Sequence, residues 1–276
     1  MGRKDATRVK FSEPYHSIVT YIMPRRAEAE VCMWEDFDVT DLLEYIKDYN
    51  QKNNTNIKFF HCFCYALGKT IYHRPQMNYF IKGKRYWRRN DISLAFVAKQ
   101  QFKDDAEEKL MFMNIKPNMN IKDVSSHILG DVKKARETNS NELDELMNTV
   151  GKLPRCLLNL LIWTTQVMDF FGCMPSSLSK GDPNYATALI SNLGSIGASA
   201  PYHHLSNYGT CSIMICIGTI KEVDGRKKVN ISFTVDERIA DGFYFVKSLK
   251  YVHYVLEHPE TLFEKVSDDF PKGIIE

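Results

Sequence analysis

No CxxC pair occurs in the 276-residue chain, and its seven cysteines, at 32, 62, 64, 156, 173, 211 and 216, are odd in number and scattered. That pattern excludes paired metal knuckles and argues against a disulfide framework, so a reducing compartment, the cytoplasm, is expected. No metal is expected either, because His61, Cys62 and Cys64 fall on near-consecutive helix positions that do not face one another. Charge of one sign is equally scarce: 36 Lys and Arg against 34 Asp and Glu leave +2, which gives no reason to expect nucleic acid or an anionic membrane as main partner. A glycine-rich phosphate loop of the Walker or dinucleotide type is missing, and nucleotide hydrolysis and hydride transfer lose their local support with it. The amino terminus, MGRKDATRVKF, lacks the apolar core of a secretory signal, and Ala6 stands where myristoylation requires Ser or Thr. Long apolar runs are confined to residues 156–174, where Asn159, Thr164, Thr165, Gln166 and Asp169 interrupt the stretch and no Lys or Arg occurs. A helix buried or covering a groove is expected there, with no integral membrane association.

What is present is a mixed pattern of helix and strand. HSIVTYIM reads as a first strand, FDVTDLLEYIKDYNQKN as a helix capped by Asp38 or Thr40, and IKFFHCFCYALGKTIYHRP as a core helix stopped by Pro75. MNYFIKGKRYWRR reads as a solvated hairpin turning at Lys82-Gly83-Lys84, followed by strands in ISLAFVAKQQF and KLMFMNIKP and by an amphipathic helix in IKDVSSHILGDVKKARE. A helical region over 141–172 is broken at Gly151 and Pro154. The last third returns to strands, with a hairpin at Asp224-Gly225, and closes on one helix ending near Pro259. Without repeats or a linker, a single α/β domain is expected.

Three stretches occur in order: ISNLGSIG at 190–197, a strand ending in IGTI at 217–220, and DERIADG at 236–242. Together with the order of elements they resemble the catalytic domain of dihydrolipoyl acyltransferases and the related chloramphenicol acetyltransferases, which carry S-N-L-G and a terminal D-H-R-x-x-D-G turn. The resemblance covers roughly residues 15–265, leaving an extension at 1–14 and a tail at 266–276, with 141–185 as a branch-specific helical segment. It implies a chloramphenicol acetyltransferase-like mixed-sheet sandwich with covering helices. It also implies a homotrimer whose sites lie between chains, where an acyl group passes between a coenzyme A or other carrier thioester and a small-molecule acceptor. The apolar 156–174 helix is then expected over the trimer surface or a channel mouth. No attached lipoyl group is expected, since neither a lipoyl-bearing domain nor an Ala/Pro-rich linker is present.

Carried over by position, Ser191 is the serine that hydrogen-bonds the tetrahedral oxyanion, and Asp241 is the aspartate that holds the turn. The histidine position is Glu237. A thiol of pKa ~8.5 gives its proton to an imidazole of pKa ~6.5 at a cost of about 3 kcal/mol, and to an unperturbed glutamate of pKa ~4.3 at about 6 kcal/mol. Burial, with Asp236 and Asp241 close by, would raise the glutamate unless Arg238 neutralises them. His203 and His204 in GASAPYHHLSNYGT are the rival bases, and on an extended segment only one of them would face a channel. Each residue also has a plainer role: Ser191 closing the turn at 192–194, Asp241 capping the last helix, Asp236 and Arg238 pairing to fix a corner, His61 hydrogen-bonded in the core. Two functions remain open: a standalone acyltransferase, or a catalytically inactive trimeric binding or assembly module that lost the motif histidine.

Overall fold

In the strand Ile213–Val223 the first six residues are all buried, with no alternation. Such a strand is covered on both faces, and the architecture follows from how each face is covered. The computed structural model describes residues 3–11, 14–99, 108–137, 150–179 and 181–274. Its main sheet has six strands in the order β2 (Glu30–Asp38), β9 (Arg226–Asp236), β8 (Ile213–Val223), β7 (Ala188–Asn192), β5 (Ile92–Lys99) and β6 (Glu108–Ile115). The pairs β5·β7 and β7·β8 are parallel and the others antiparallel, so the sheet is mixed.

One face carries Ile190, Ile213, Ile215, Ile217, Ile231, Phe233 and Val235 into the main core. It is covered by α2 (Thr40–Asn53), α3 (Phe59–His73), α4 (Ile121–Glu137) and α7 (Gly242–Glu257). Helix α3 is buried from His61 to Ile71, as its all-round apolarity predicts. The opposite face is covered by chain rather than by helix: Ala200 and Leu205 of the segment 198–210 lie on Met214, Cys216 and Leu189. The β8–β9 hairpin turns at Asp224 and Gly225 with φ of 52° and 73°, the left-handed pair that Asp-Gly favours. At the chain's end Val266 is buried and its N–H donates to Met119 O at 2.8 Å.

A smaller sheet, in the order β1 (Ala6–Val9), β4 (Arg85–Arg89) and β3 (Tyr79–Lys82), holds the KGKRYWRR stretch. The hairpin is where the sequence puts it, but it is not a solvated one. Tyr86, Trp87 and Arg89 are buried because β4 is the central strand, and the Arg89 Nη2 donates to Thr210 O at 2.5 Å. Burial lowers the Arg89 pKa to about 9.

The stretch HSIVTYI, expected as a strand, is the helix α1 (Pro14–Ile22). Pro14 occupies its first position, where a missing N–H costs nothing, and the adjacent Val19 and Thr20 are its buried residues, which a strand's alternation would not allow. The 156–174 stretch forms α5 (Arg155–Phe171), with a single turn α6 (Ser176–Ser179) after it. Only Thr165 and Asp169 of α5 are buried, so within one chain the helix is not buried by its apolar residues. What ties α5 to the body is charge: the carboxylate of Asp169 meets Arg3 Nη1 at 2.5 Å and Lys82 Nζ at 2.9 Å and accepts from the Tyr185 hydroxyl at 3.3 Å. The part of the expected helical region at 138–149 lies outside the described residues.

Candidate active site

The turn after β9 is built around a buried ion pair. Asp236 and Arg238 make two parallel bonds, Nε to Oδ1 and Nη2 to Oδ2, both at 2.7 Å, and the remaining Arg238 nitrogen donates to Met23 O at 2.6 Å. Such a bidentate pair fixes direction as well as charge, which is the corner role expected for these residues. Asp241 accepts from Tyr244 N at 2.7 Å and caps α7, also as expected. At Gly242, which follows it, an added Cβ would meet nothing and φ is not left-handed, so the turn does not need a glycine. Glu237 keeps the strand direction, donating its N–H to Ala29 O at 2.8 Å, and its side chain is exposed. Among the described residues no hydrogen bond or ion pair holds its carboxylate.

Ser191 sits near the end of β7, in register with Cys216 of β8, which is in turn in register with Ser232 of β9. It is half-buried on the face that Leu189, Met214 and Cys216 share. The next turn is a single 3-10 turn over Leu193–Ile196, closed by Ser195 Oγ donating to Asn192 O at 2.8 Å and by Gly197 at φ 81°. Ser195 therefore performs the turn-closing role considered for Ser191, and the Ser191 hydroxyl has no protein partner among the described residues. The glycines explain why SNLG and IGTI occur together. A Cβ on Gly194 would stand 2.3 Å from Gly218 O, so the two backbones touch and neither position has room for a side chain.

His203 and His204 lie on the covering segment. Their rings are stacked, with centroids 5.1 Å apart and planes at 16°, and both are exposed. Adjacent side chains oppose one another only along a regular strand. Here the chain is irregular and His203 Nδ1 lies 2.9 Å from His204 O, so the rings turn to the same side rather than to the opposite sides that an extended segment would give. The segment is clamped at both ends by residues the sequence reading did not single out. Glu30 accepts from Leu205 N at 2.8 Å and from the Tyr202 hydroxyl. Buried Arg26 donates to Ser206 O at 2.5 Å and Gly209 O at 2.6 Å. Just before the first clamp, Ser232 Oγ donates to Pro201 O at 2.5 Å. Partners more than 170 residues apart leave no local signal for either clamp.

Register fixes the distances between these groups. Glu237 is five residues beyond Ser232, the residue level with Ser191, and two strands across. At ~3.4 Å per residue and ~4.8 Å per strand, that is about 20 Å. Glu30, which clamps the histidine segment, pairs with Asp236. One chain thus holds the Glu237 turn at one end of the sheet and Ser191 at the other, while the histidine segment runs between them, its Pro201 bonded to Ser232 and its Leu205 in one cluster with Leu189, Met214 and Cys216.

No family model and no curated protein sequence matches the chain. Solved structures do. A truncated catalytic core of the 2-oxoacid dehydrogenase multienzyme complex from Thermoplasma acidophilum superposes with a TM-score of 0.59 at 16% identity, over 92% of this chain and 99% of its own. A chloramphenicol acetyltransferase gives 0.59 at 12% over 91% and 99%, and a probable dihydrolipoamide acetyltransferase from Listeria monocytogenes gives 0.56 at 16% over 91% and 94%. The fold is that of the chloramphenicol acetyltransferase-like acyltransferase cores.

Within this fold the buried cysteines and His61 are structural. Burial pushes the Cys62 thiol up to about 12 and raises Cys64, Cys211 and Cys216 as well, so none of these offers a thiolate. His61 is a core residue as expected: its Nδ1 lies 2.9 Å from Ser125 Oγ and accepts from Lys58 N at 3.3 Å. Among the described residues no cluster of His, Cys, Asp and Glu is arranged to hold a metal ion.

Proposed function

We propose that this chain transfers an acyl group between a thioester, of coenzyme A or another carrier, and a small acceptor, at a site completed between the chains of a homotrimer. The observation that carries the reading is the Ser191 hydroxyl. It stands half-buried and without a protein partner among the described residues, at the position the S-N-L-G resemblance gives to the oxyanion serine, while Ser195 closes the turn beside it. Ser191 and the Glu237 turn lie about 20 Å apart within one chain, so a site that uses both draws them from different chains. In the transfer, a base at the Glu237 end takes the proton of the attacking thiol, hydroxyl or amine. The heteroatom adds to the thioester carbonyl, the carbonyl pair moves onto oxygen, and the Ser191 hydroxyl donates to that oxyanion. Collapse expels the carrier's thiolate, which regains a proton from the base. Coenzyme A enters as a substrate or product, with its sulfur between the two ends. Asp241 and the Asp236–Arg238 pair hold the turn in place.

Glu237 itself favours a second reading. Its carboxylate is exposed and Asp236 is neutralised by Arg238, so a single chain supplies none of the surroundings that would turn a carboxylate into a base for a thiol. A trimeric binding or assembly module in the same fold would look the same. Thiol release from a panel of acyl-coenzyme A compounds separates the two. Under the transferase reading wild-type protein turns over, and Ser191→Ala loses about 10²-fold or more in kcat. Glu237→Gln loses as much if Glu237 is the base, and little if His203 or His204 is, in which case the matching His→Asn removes activity. Absence of turnover with every donor, together with weak transfer gained by Glu237→His, identifies the binding module.

A further inference from the structure

Helix α5 presents its apolar face away from the body. Its exposed apolar residues include Leu157, Leu160, Leu161, Trp163, Phe170 and Phe171, with Trp163 61% and Leu160 and Phe171 each 56% exposed. The polar edge carries Arg155, Asn159 and Gln166, and the face toward the body carries Thr165 and Asp169. Arg155, the first residue of the helix, supplies the basic group missing from the apolar stretch itself.

A second helix does the same next to it. In α1 the outward residues are Tyr15, Ile18, Tyr21 and Ile22, all exposed, while Val19 and Thr20 are buried. The hairpin tip joins the two helices. Lys84 Nζ donates to Thr20 O at 2.7 Å and lies over the Tyr21 ring, and a Cβ on Gly83 would stand 2.3 Å from Phe170 O. Around this surface lie Lys84, Arg85, Lys152 and Arg155. Within residues 14–27 and 150–179 the only acid is Asp169, which is buried and bonded to Arg3 and Lys82.

We propose that α5 and α1 form a membrane-surface anchor, lying in the plane of an anionic lipid headgroup layer with their apolar sides toward the acyl chains. Seventeen residues at ~1.5 Å each make a helix of about 26 Å, short of a span, and its tie to the body at Asp169 keeps it parallel to the body surface. Aromatic and leucine side chains on the outer side, bases at the rim and no exposed acid on either helix are what an interfacial helix presents to anionic lipid. The near-zero net charge of the whole chain hides the local excess.

Flotation of the full chain with vesicles of phosphatidylcholine, alone or mixed with phosphatidylglycerol, tests the assignment. Wild-type protein is expected to float with the anionic vesicles, less at high salt, and far more weakly with the neutral ones. Leu160→Asp with Phe171→Asp, both at exposed positions, is expected to reduce binding by about tenfold or more with an unchanged melting temperature. Arg155→Glu is expected to weaken binding to anionic vesicles alone. Wild-type protein that stays unbound with both vesicle types, or a double variant that floats as well as wild type, overturns the proposal. A double variant whose oligomeric mass falls without lipid also overturns it, by showing that a second copy covers this surface.

Discussion

His61 is a residue whose chemistry is set by where the fold puts it. Burial lowers its pKa from 6.5 to about 4, with the Lys58 ammonium adding to the effect, and Nδ1 serves as acceptor for Ser125 and Lys58, leaving the proton on Nε2. The unfolded chain protonates this imidazole below 6.5, whereas the folded chain does so only near 4. Stability is therefore complete above 6.5 and falls as the pH drops toward 4, by about 3 kcal/mol in total. Denaturant midpoints at pH 7, 5.5 and 4.5 should follow that fall, and His61→Gln should flatten it. Equal slopes for the two proteins would remove His61 as the source. Asp38 acts in a separate window: the Arg226 guanidinium lowers it to about 2, so its contribution is lost only below 3.8.

Among the elements, those with strong periodicity or turn chemistry were legible. The Asp224-Gly225 hairpin, the core helix α3, the amphipathic α4 and the capped α7 all follow from local residues. Helix α1 was not, because Ile, Val and Thr in succession favour a strand on propensity while Pro14 and its docking decide for a helix. Helix α5 was legible as a helix, but its orientation was not, since the residues that anchor it, Arg3 and Lys82, are distant in sequence. The two site glycines that the motifs supply differ in the same way. Gly194 faces Gly218 O at a distance no Cβ can tolerate, whereas Gly242 faces open space. Gly194→Ala should cost about 1–3 kcal/mol and lower the melting temperature by several degrees. Gly242→Ala should leave it unchanged or slightly higher. Equal effects would contradict the close approach of the SNLG and IGTI backbones.

At the scale of the whole molecule, the motifs nominate Ser191 and Glu237, and the sheet register sets them about 20 Å apart within one chain. No spacing in the sequence reveals that Ser191 is level with Ser232 rather than with Asp236. If the proposed trimer holds, each site takes its serine from one chain and its base from the next. Ser191→Ala and the inactivating base variant, each without activity alone, should then complement when unfolded together and reassembled. In a randomly mixed ring, a given interface has the intact serine on one side and the intact base on the other in about a quarter of cases, so activity should return to roughly one quarter of wild type. Light scattering on the same samples must report the trimer. A reassembled trimer without recovered activity would place the site within one chain and require the Glu237 turn to move by most of 20 Å from where the register sets it, or the base to come from the covering segment. A monomer with full activity would remove the shared site altogether.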